Sequence, residues 1–269
     1  MGLDGSIAVD RPADIRKPAP SLKAAVSVRE DLMSHLLPLT VADAEVRRKG
    51  RRLIGPLSLT VEGDGVSIIL GPNGSGKTTL LRLLHGLERP RGGAVSWNAP
   101  EAEAQAAQSF VFQTPIMMRR TVLDCIAYPL MLRGVSRARA RETAEAALKD
   151  AGLEPVKDVQ APSISGGEKQ KLALARALIT GPRILFLDEP CANLDGRATR
   201  DIEATLCAAA KQGVRILMST HDLGQARRLA DEVLFMVGGK LAEHALADAF
   251  FAAPETEAAK AFLDGRIIL

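Results

Sequence analysis

The sequence has few aromatic residues, few cysteines and no long apolar run. Aromatic residues make up 3% of its 269 residues, so the core of a folded domain must be built from aliphatic side chains. The three cysteines, Cys125, Cys191 and Cys207, are far apart and odd in number, which argues against a disulfide framework and a metal cluster. No stretch approaches the about 18 consecutive apolar residues of a membrane-spanning helix. We therefore expect a chain that does not itself cross a membrane.

A strong charge imbalance and a secretory signal are also absent. The formal net charge is +3, which is too small to predict nucleic acid as the main partner. The first residues contain no basic region followed by an apolar run, so we expect no secretory signal. The four histidines are scattered, and their spacing predicts no metal cluster. The odd number and wide spacing of the cysteines fit a reducing compartment.

Residues 1–38 differ in composition from the rest of the chain. They contain four prolines, and five basic residues balance five acidic ones without a hydrophobic period. We expect a flexible N-terminal extension here, with a short helix near Ser27–Leu37. A single domain is predicted over residues 39–269.

From Leu39 onward, short apolar runs alternate with helical patterns. Val66–Leu70 and Ile184–Leu187 are continuously apolar, which is typical of buried parallel strands. Leu39–Val46 and Leu57–Val61 are predicted strands joined by a basic turn at Arg47–Arg52. Helices are predicted at Thr78–His85, Thr121–Leu132, Ser136–Ala151, Gly166–Thr180 and Arg197–Gln212. This alternation predicts an α/β fold whose mostly parallel sheet is covered on both faces.

One segment, Gly71–Thr78, matches the phosphate-binding loop pattern G-x-x-x-x-G-K-[ST] between a predicted strand and a predicted helix. Its glycines allow backbone N–H groups to converge on phosphate oxygens, and the helix N-terminus favours an anion. Lys77 is expected to reach the β- and γ-phosphates, and Thr78 to bind Mg²⁺. The predicted nucleotide contacts of this segment are Gly71, Pro72, Asn73, Gly74, Ser75, Gly76, Lys77, Thr78 and Thr79.

Two carboxylates follow the apolar run Ile184–Leu187. Because ligand sites in open parallel sheets lie at the carboxyl ends of strands, Asp188 is predicted to hold Mg²⁺ and Glu189 to orient and deprotonate the attacking water. Alone, a strand that ends in Asp-Glu is as often a loop entrance with solvated charges. The catalytic interpretation therefore depends on the phosphate loop earlier in the chain.

A third motif, Ser165-Gly166-Gly167-Glu168, precedes an Ala/Leu-rich helix. The order of phosphate loop, Gln113, this segment, Asp188-Glu189, Asn193-Leu194-Asp195 and His221 resembles the ATP-binding cassette of ABC transporters over about residues 39–245. The Ser-Gly-Gly segment distinguishes this family from other phosphate-loop ATPases, which lack it. The usual signature reads Leu-Ser-Gly-Gly-Gln, and Ile164 and Glu168 depart from it.

The resemblance implies a P-loop NTPase (RecA-like) core with an N-terminal antiparallel β sub-domain and an inserted α-helical sub-domain at about 114–165. It also implies a head-to-tail homodimer that encloses two ATP molecules with Mg²⁺. Ser165, Gly166, Gly167 and Glu168 would present a second anion site to the partner's γ-phosphate. In the family, the glutamine corresponding to Gln113 contacts Mg²⁺ and the water, and the histidine corresponding to His221 contacts the γ-phosphate. The implied catalytic residues are Lys77, Glu189 and His221, and the implied metal contacts are Thr78, Gln113 and Asp188.

The expected adenine contact is unusual. Cassettes of this family stack the base on an aromatic residue upstream of the phosphate loop, but this chain has no aromatic residue before Trp97. The resemblance places Arg48 at or near that position, where a guanidinium plane can cover the base. The alternative is that Arg48 is a solvated member of the Arg47–Arg52 cluster.

Three kinds of cassette protein remain open. The chain is either the energy subunit of an importer, that of an exporter or membrane-remodelling complex, or a soluble ATPase. A single phosphate loop disfavours the soluble class. The stretches Thr114–Val122 and His221–Asp231 resemble those of bacterial oxyanion importers of the tungstate and phosphate type. This resemblance implies a transmembrane permease, a periplasmic binding protein and a peripheral location on the cytoplasmic face of the inner membrane.

Overall fold

The structure, a computed structural model, describes residues 36–266. Most of the predicted N-terminal extension, residues 1–38, lies outside the described residues, as does most of the predicted helix near Ser27–Leu37. Leu36 and Leu37 are 3% and 6% exposed. The packed part of the chain therefore begins before the predicted boundary at Leu39.

Two sheets form the centre of the described chain. The strands are β1 (Leu39–Arg48), β2 (Arg51–Val61), β3 (Val66–Leu70), β4 (Gly92–Trp97), β5 (Gln108–Val111), β6 (Ile184–Asp188), β7 (Arg215–Ser219), β8 (Glu232–Val237) and β9 (Lys240–Leu246). An antiparallel sheet has the order β2-β1-β4, and a six-stranded sheet has the order β5-β6-β7-β3-β8-β9. In the second sheet, only the β8–β9 pair is antiparallel. The predicted α/β class, with a mostly parallel sheet and an N-terminal antiparallel sheet, is confirmed.

Helices cover both faces of the parallel sheet. They are α1 (Lys77–His85), α2 (Glu101–Ala106), α3 (Val122–Leu132), α4 (Arg137–Asp150), α5 (Gly166–Leu178), α6 (Gly196–Lys211), α7 (Leu223–Leu229), α8 (Ala247–Ala252) and α9 (Glu257–Leu263), with 3₁₀ turns at Glu154–Val156 and Ala161–Ser163. Capping side chains and glycines mark where some of these helices begin and end. The Thr121 side chain caps α3 by accepting from the Asp124 N–H, and Gly86 ends α1 with φ 87°.

The predicted basic turn at Arg47–Arg52 is wrong, because most of that segment is strand. Only Lys49 and Gly50 form the turn, and Arg47 pairs with Arg52 across β1 and β2. Like charges opposite each other disfavour such a pair. Here Glu45 lies 2.8 Å from Arg47 and 3.5 Å from Arg52, so one carboxylate offsets both guanidinium charges.

Three apolar clusters hold the layers together. The first lies between the antiparallel sheet, α1 and one face of the parallel sheet. The second packs α6, α7, α8 and α9 on the opposite face. The third joins α3, α4 and one side of α5. Helix α5 contributes to the second and third clusters, so its middle is packed between them.

A buried ion pair ties three strands together at the end of the sheet opposite Asp188. Arg215 is 1% exposed, and its Nη2 donates to Ser67 Oγ and Glu232 Oε1, both at 2.5 Å. Burial alone would raise the pKa of Glu232. Hydrogen bonds from His244 and Ser67 and the charge of Arg215 instead lower that pKa to about 2. Glu232 is therefore ionised at neutral pH, and this end of the sheet is fixed.

Candidate active site

The phosphate loop connects β3 to α1 and requires glycine at several positions. Gly71, Gly74 and Gly76 have φ of 147°, 78° and 106°. A Cβ on Gly71 would lie 2.1 Å from the Met236 carbonyl oxygen. The Ser75 hydroxyl is buried in the loop without a hydrogen-bond partner in the described structure. An unpartnered donor in a concave glycine loop suits a phosphate oxygen.

Lys77 is the first residue of α1, and its side chain points back into the loop. Its Nζ donates to the Gly71 carbonyl at 2.9 Å and to the Pro72 carbonyl at 3.3 Å. Nζ also lies 3.8 Å from Glu189 Oε1. Burial lowers the pKa of Lys77, while the charges of Glu189 and Asp188 act in the opposite direction. The remaining predicted contacts of this segment, Asn73, Thr78 and Thr79, lie on the same loop and helix start.

Asp188 ends β6 and is 3% exposed. Its Oδ1 accepts from Thr78 Oγ1 at 2.9 Å and from Ser219 Oγ at 2.8 Å. The structure therefore brings together two of the three predicted metal contacts, Thr78 and Asp188. The third, Gln113, has its amide on Glu189 instead.

Glu189 lies at the centre of the predicted catalytic group. Its Oε2 is 3.1 Å from His221 Nδ1 and 3.3 Å from Gln113 Nε2, and its Oε1 faces Lys77. Its backbone adopts φ 45°, a left-handed conformation that is costly for glutamate. Such strain is typical of residues whose side chain must point into a site. Gln113, Lys77 and His221, which are far apart in sequence, thus meet on one carboxylate.

Ser219 belongs to this site, although sequence reasoning missed it. It ends β7 and is the register partner of Asp188. Its hydroxyl donates to Asp188 Oδ1 and accepts from the Glu189 N–H at 3.0 Å. Ser219 therefore fixes both carboxylate residues. The available signal was a polar residue at the carboxyl end of a buried strand, which is where Asp188 also lies.

The Ser-Gly-Gly segment begins α5 and forms a capping box. The Ser165 side chain accepts from the Glu168 N–H, and the Glu168 carboxylate accepts from the Ser165 N–H at 2.8 Å. Hydrogen bonds from the Ser165 hydroxyl and the Ser165 N–H to the carboxylate lower the pKa of Glu168. Ser165 and Gly166 are exposed, and Gly167 is half-buried. The departure at Glu168 thus stabilises the helix start, and Ser165 lies open at the surface.

Arg48 extends from the end of β1 and is paired with a carboxylate. Its Nη2 lies 3.0 Å from Glu88 Oε2, and its side chain is 59% exposed. The structure therefore places Arg48 on the surface, in an ion pair, at the end of β1.

Apolar side chains remain exposed where β5 leads into α3. Phe112, Ile116 and Leu132 are 37%, 75% and 70% exposed. A cavity of about 350 Å³ lies beside them, lined by residues of β5, α3 and α5. Single exposed apolar residues are ordinary, but a group beside a concave surface is typical of an interface.

Residues 36–266 contain neither a membrane-spanning helix nor a cluster of metal-binding side chains. No helix in that part of the chain is long and apolar enough to span a membrane. No group of three or more His, Cys, Asp or Glu residues there could hold a metal ion by itself.

Comparison with known proteins gives consistent matches. The family model described as ABC transporter matches residues 54–192. The chain is 33% identical to a probable anion import ATP-binding protein of Haloferax volcanii, over 98% of this chain and 97% of that protein. It is 36% identical to the tungstate uptake system ATP-binding protein TupC of Peptoclostridium acidaminophilum, over 80% and 100%. It is 34% identical to the phosphate import ATP-binding protein PstB 2 of Natronomonas pharaonis, over 86% and 87%.

A solved structure agrees with these relatives. The structure of cbiO1 from Clostridium perfringens, part of the ABC transporter complex cbiONQ, superposes with a TM-score of 0.71. It is 26% identical over 80% of this chain and 90% of that chain. The fold, the phosphate loop and these relatives lead to one conclusion: the chain belongs to the ABC transporter ATP-binding family and is an ATPase.

Proposed function

We propose that this chain supplies the energy for import of a small oxyanion, of the tungstate or phosphate type. The observation that carries the proposal is the near full-length relation to a probable anion import ATP-binding protein, together with relatives named for tungstate and phosphate. Relatives named for glutamate, Fe³⁺ and methionine also match, over 75–80% of the chain. The alternative that retains support is thus an importer of another solute.

Each residue of the site has its own proposed role in ATP hydrolysis. The phosphate loop and Lys77 hold the phosphates of ATP, and Glu189 accepts a proton from the attacking water. His221 lies beside that carboxylate, and we infer that it contacts the γ-phosphate. Gln113, whose amide lies on the same carboxylate oxygen as His221, positions the water.

The donor set fits Mg²⁺. Thr78 Oγ1 and Asp188 Oδ1 are hard oxygen ligands 2.9 Å apart, and one carboxylate with one hydroxyl is typical where phosphates and waters complete the shell. Gln113 is the third proposed ligand. When bound, the ion would offset phosphate charge during hydrolysis.

A second copy of the chain completes the ATP site. Ser165, Gly166, Gly167 and Glu168 begin a 13-residue helix whose first residues face solvent. Because Glu168 already bonds the Ser165 N–H, the two glycine N–H groups are the donors that remain for an anion, and the Ser165 hydroxyl joins them when its proton turns away from the Glu168 carboxylate. We infer that they bind the γ-phosphate held by Lys77 of the partner in a head-to-tail dimer.

The membrane partner is proposed to be a permease that docks beside the exposed side chains of Phe112, Ile116 and Leu132. Ile116 and Leu132 lie within the proposed helical sub-domain at about 114–165, and Phe112 is adjacent to Gln113. Docking and the water-binding side of the site therefore share one segment. A periplasmic binding protein would deliver the anion. The ATPase would then lie on the cytoplasmic face of the inner membrane.

We expect GTP to support hydrolysis within about tenfold of ATP, because a base contact without aromatic stacking discriminates by little more than about 1.4 kcal/mol. Arg48→Ala tests the contact. It weakens ATP binding if the guanidinium leaves Glu88 to cover the base, and has no effect if Arg48 remains solvated. Arg48→Tyr should tighten ATP binding in either case. No change with tyrosine would mean that the base lies elsewhere.

Uptake by the cell that carries this gene tests the import proposal. With Glu189→Gln in place of the wild-type gene, we expect uptake of ³²P-phosphate or of tungstate, measured by mass spectrometry, to fall. Glutamate, iron and methionine uptake should remain at the wild-type level. Unchanged oxyanion uptake with a loss of one of the other solutes would assign a different importer class.

A further inference from the structure

Helices α6 and α7 are joined through one buried carboxylate, that of Glu203. This residue of α6 is 8% exposed. Its Oε1 accepts from Gln225 Nε2 at 3.2 Å and from Arg228 Nη2 at 2.7 Å, and its Oε2 accepts from Arg228 Nε at 2.9 Å. Both donors lie on one face of α7, three residues apart. A bidentate contact with the Arg228 guanidinium fixes the orientation of the two side chains as well as their distance.

One of these donors is tied to the residue that follows His221. The Asp222 side chain caps α7 by accepting from the Gln225 N–H at 2.9 Å, and the Asp222 N–H donates to Thr220 Oγ1 at 3.1 Å. Gln225 thus binds Asp222 through its backbone and Glu203 through its side chain. The path from Glu203 to His221 contains one buried glutamine and one cap.

The same glutamine also reaches the segment that follows Glu189. The Gln225 side chain lies close enough to the Cys191 thiol, two residues after Glu189, to influence the pKa of that thiol. Burial raises the pKa of Cys191 to about 11, so the thiol is neutral at physiological pH and acts as a packed polar contact. Gln225 therefore packs beside the segment that follows Glu189, while its hydrogen bonds join Glu203 to the segment that carries His221.

The beginning of α6 touches the beginning of α5. Asp195 caps α6 by accepting from the Arg197 and Ala198 N–H groups. A Cβ on Gly167 would lie 3.2 Å from the Ala198 Cβ, so these two helix starts are in close contact. Helix α6 thus runs from the Ser-Gly-Gly segment to the anchor of α7.

We propose that Glu203 is a positioning residue for hydrolysis, which holds His221 at hydrogen-bond distance from Glu189 through Gln225 and α7. Glu203 does not touch the reacting atoms. Apolar contacts of Ala226 and Leu229 keep α7 packed without it, so its loss changes alignment rather than folding. This proposal rests on the proposed roles of Glu189 and His221.

The test is steady-state ATP hydrolysis by the full chain carrying Glu203→Gln. The amide has the same shape but lacks the charge and one acceptor. We expect kcat to fall about tenfold with KM for ATP changed by less than about twofold, because misalignment affects the chemical step rather than phosphate binding. Asp201→Asn is the matched control, since it removes a carboxylate of the same helix that pairs with Lys171 at the surface. Its kcat should stay within about twofold of wild type.

The same substitution in the His221→Ala variant shows whether Glu203 acts through His221. In His221→Ala, adding Glu203→Gln should lower kcat by less than about twofold, because residues that act as a unit are non-additive. An equal loss in both backgrounds, a rise in KM instead, or no loss in the wild-type background would overturn the proposal. If Glu203→Gln melts below the assay temperature, Arg228→Gln removes the same ion pair from its exposed side, and the same comparison applies.

Different outcomes contradict the proposed role of His221 and the proposed role of Glu203. If His221→Ala itself keeps wild-type kcat, the proposed role of His221 is wrong. If His221→Ala loses activity and Glu203→Gln does not, only the positioning role is wrong.

Discussion

Glu189→Gln should lower the turnover number for ATP by about 10²–10⁴-fold while ATP still binds, which is the contribution of a general base. Three polar groups converge on this carboxylate: Lys77 at 3.8 Å, His221 at 3.1 Å and Gln113 at 3.3 Å. The amide keeps the shape and, through its single oxygen, the hydrogen bonds with His221 and Gln113, but it cannot accept the proton of water. Glu189→Gln should therefore keep ATP binding while it loses most of its ATP hydrolysis.

The measurement combines steady-state hydrolysis with equilibrium binding of ATP. Glu257→Gln is the control, because Glu257 is on the surface and pairs only locally with Lys260. It should hydrolyse ATP at the wild-type rate. We also expect Glu189→Gln to accumulate as an ATP-bound dimer in size-exclusion chromatography. Hydrolysis by Glu189→Gln at the wild-type rate would remove the general-base assignment.

Ser165→Arg should abolish hydrolysis, by at least about 10²-fold, because the loss of one positioned donor to a transition-state oxyanion costs that much. The Ser165 hydroxyl is exposed at the start of α5 and caps it. Arginine removes the cap and fills the space before the helix. ATP should still bind at Lys77, since the phosphate loop belongs to another element.

Ser136→Arg is a matched control for this change. Ser136 is the exposed N-cap of α4, and its side chain makes no capping hydrogen bond. Its substitution should leave hydrolysis intact. If Ser165→Arg loses ATP binding together with hydrolysis, the two motifs act on the same nucleotide phosphates within one chain, contrary to the dimer proposal.

Much of the fold was predictable because its strands and helices carry strong local patterns. Val66–Leu70 was placed at its observed bounds, and Ile184–Leu187 lacked only Asp188 at its end. Both are continuously apolar, and each is followed by polar residues that mark the edge of the sheet. The phosphate loop was found from glycine spacing, which backbone geometry imposes. Weakly patterned elements such as β4, which is half-exposed and rich in small residues, were not found.

The contacts within the site were less predictable, since they join residues remote in sequence. Ser219 is 31 residues from Asp188, and only the β6–β7 register places them side by side. Glu203 has no sequence signal, because a glutamate on a helix is usually solvated. The sequence identifies Glu168 only as a departure from the usual signature. The structure gives it a specific role, since it caps the helix that presents Ser165.

The central claim is that the hydrolytic site is shared between two chains, and mixing two inactive variants tests it most directly. Lys77→Ala should lose ATP binding and Ser165→Arg should lose hydrolysis. A mixed dimer retains one whole site, made by Lys77 of one chain and Ser165 of the other. Equal mixing should therefore restore up to about a quarter of wild-type activity, because half of the random dimers are mixed and each has one of two sites. No recovery, with mixed dimers demonstrated by affinity tags of two kinds, would contradict the account.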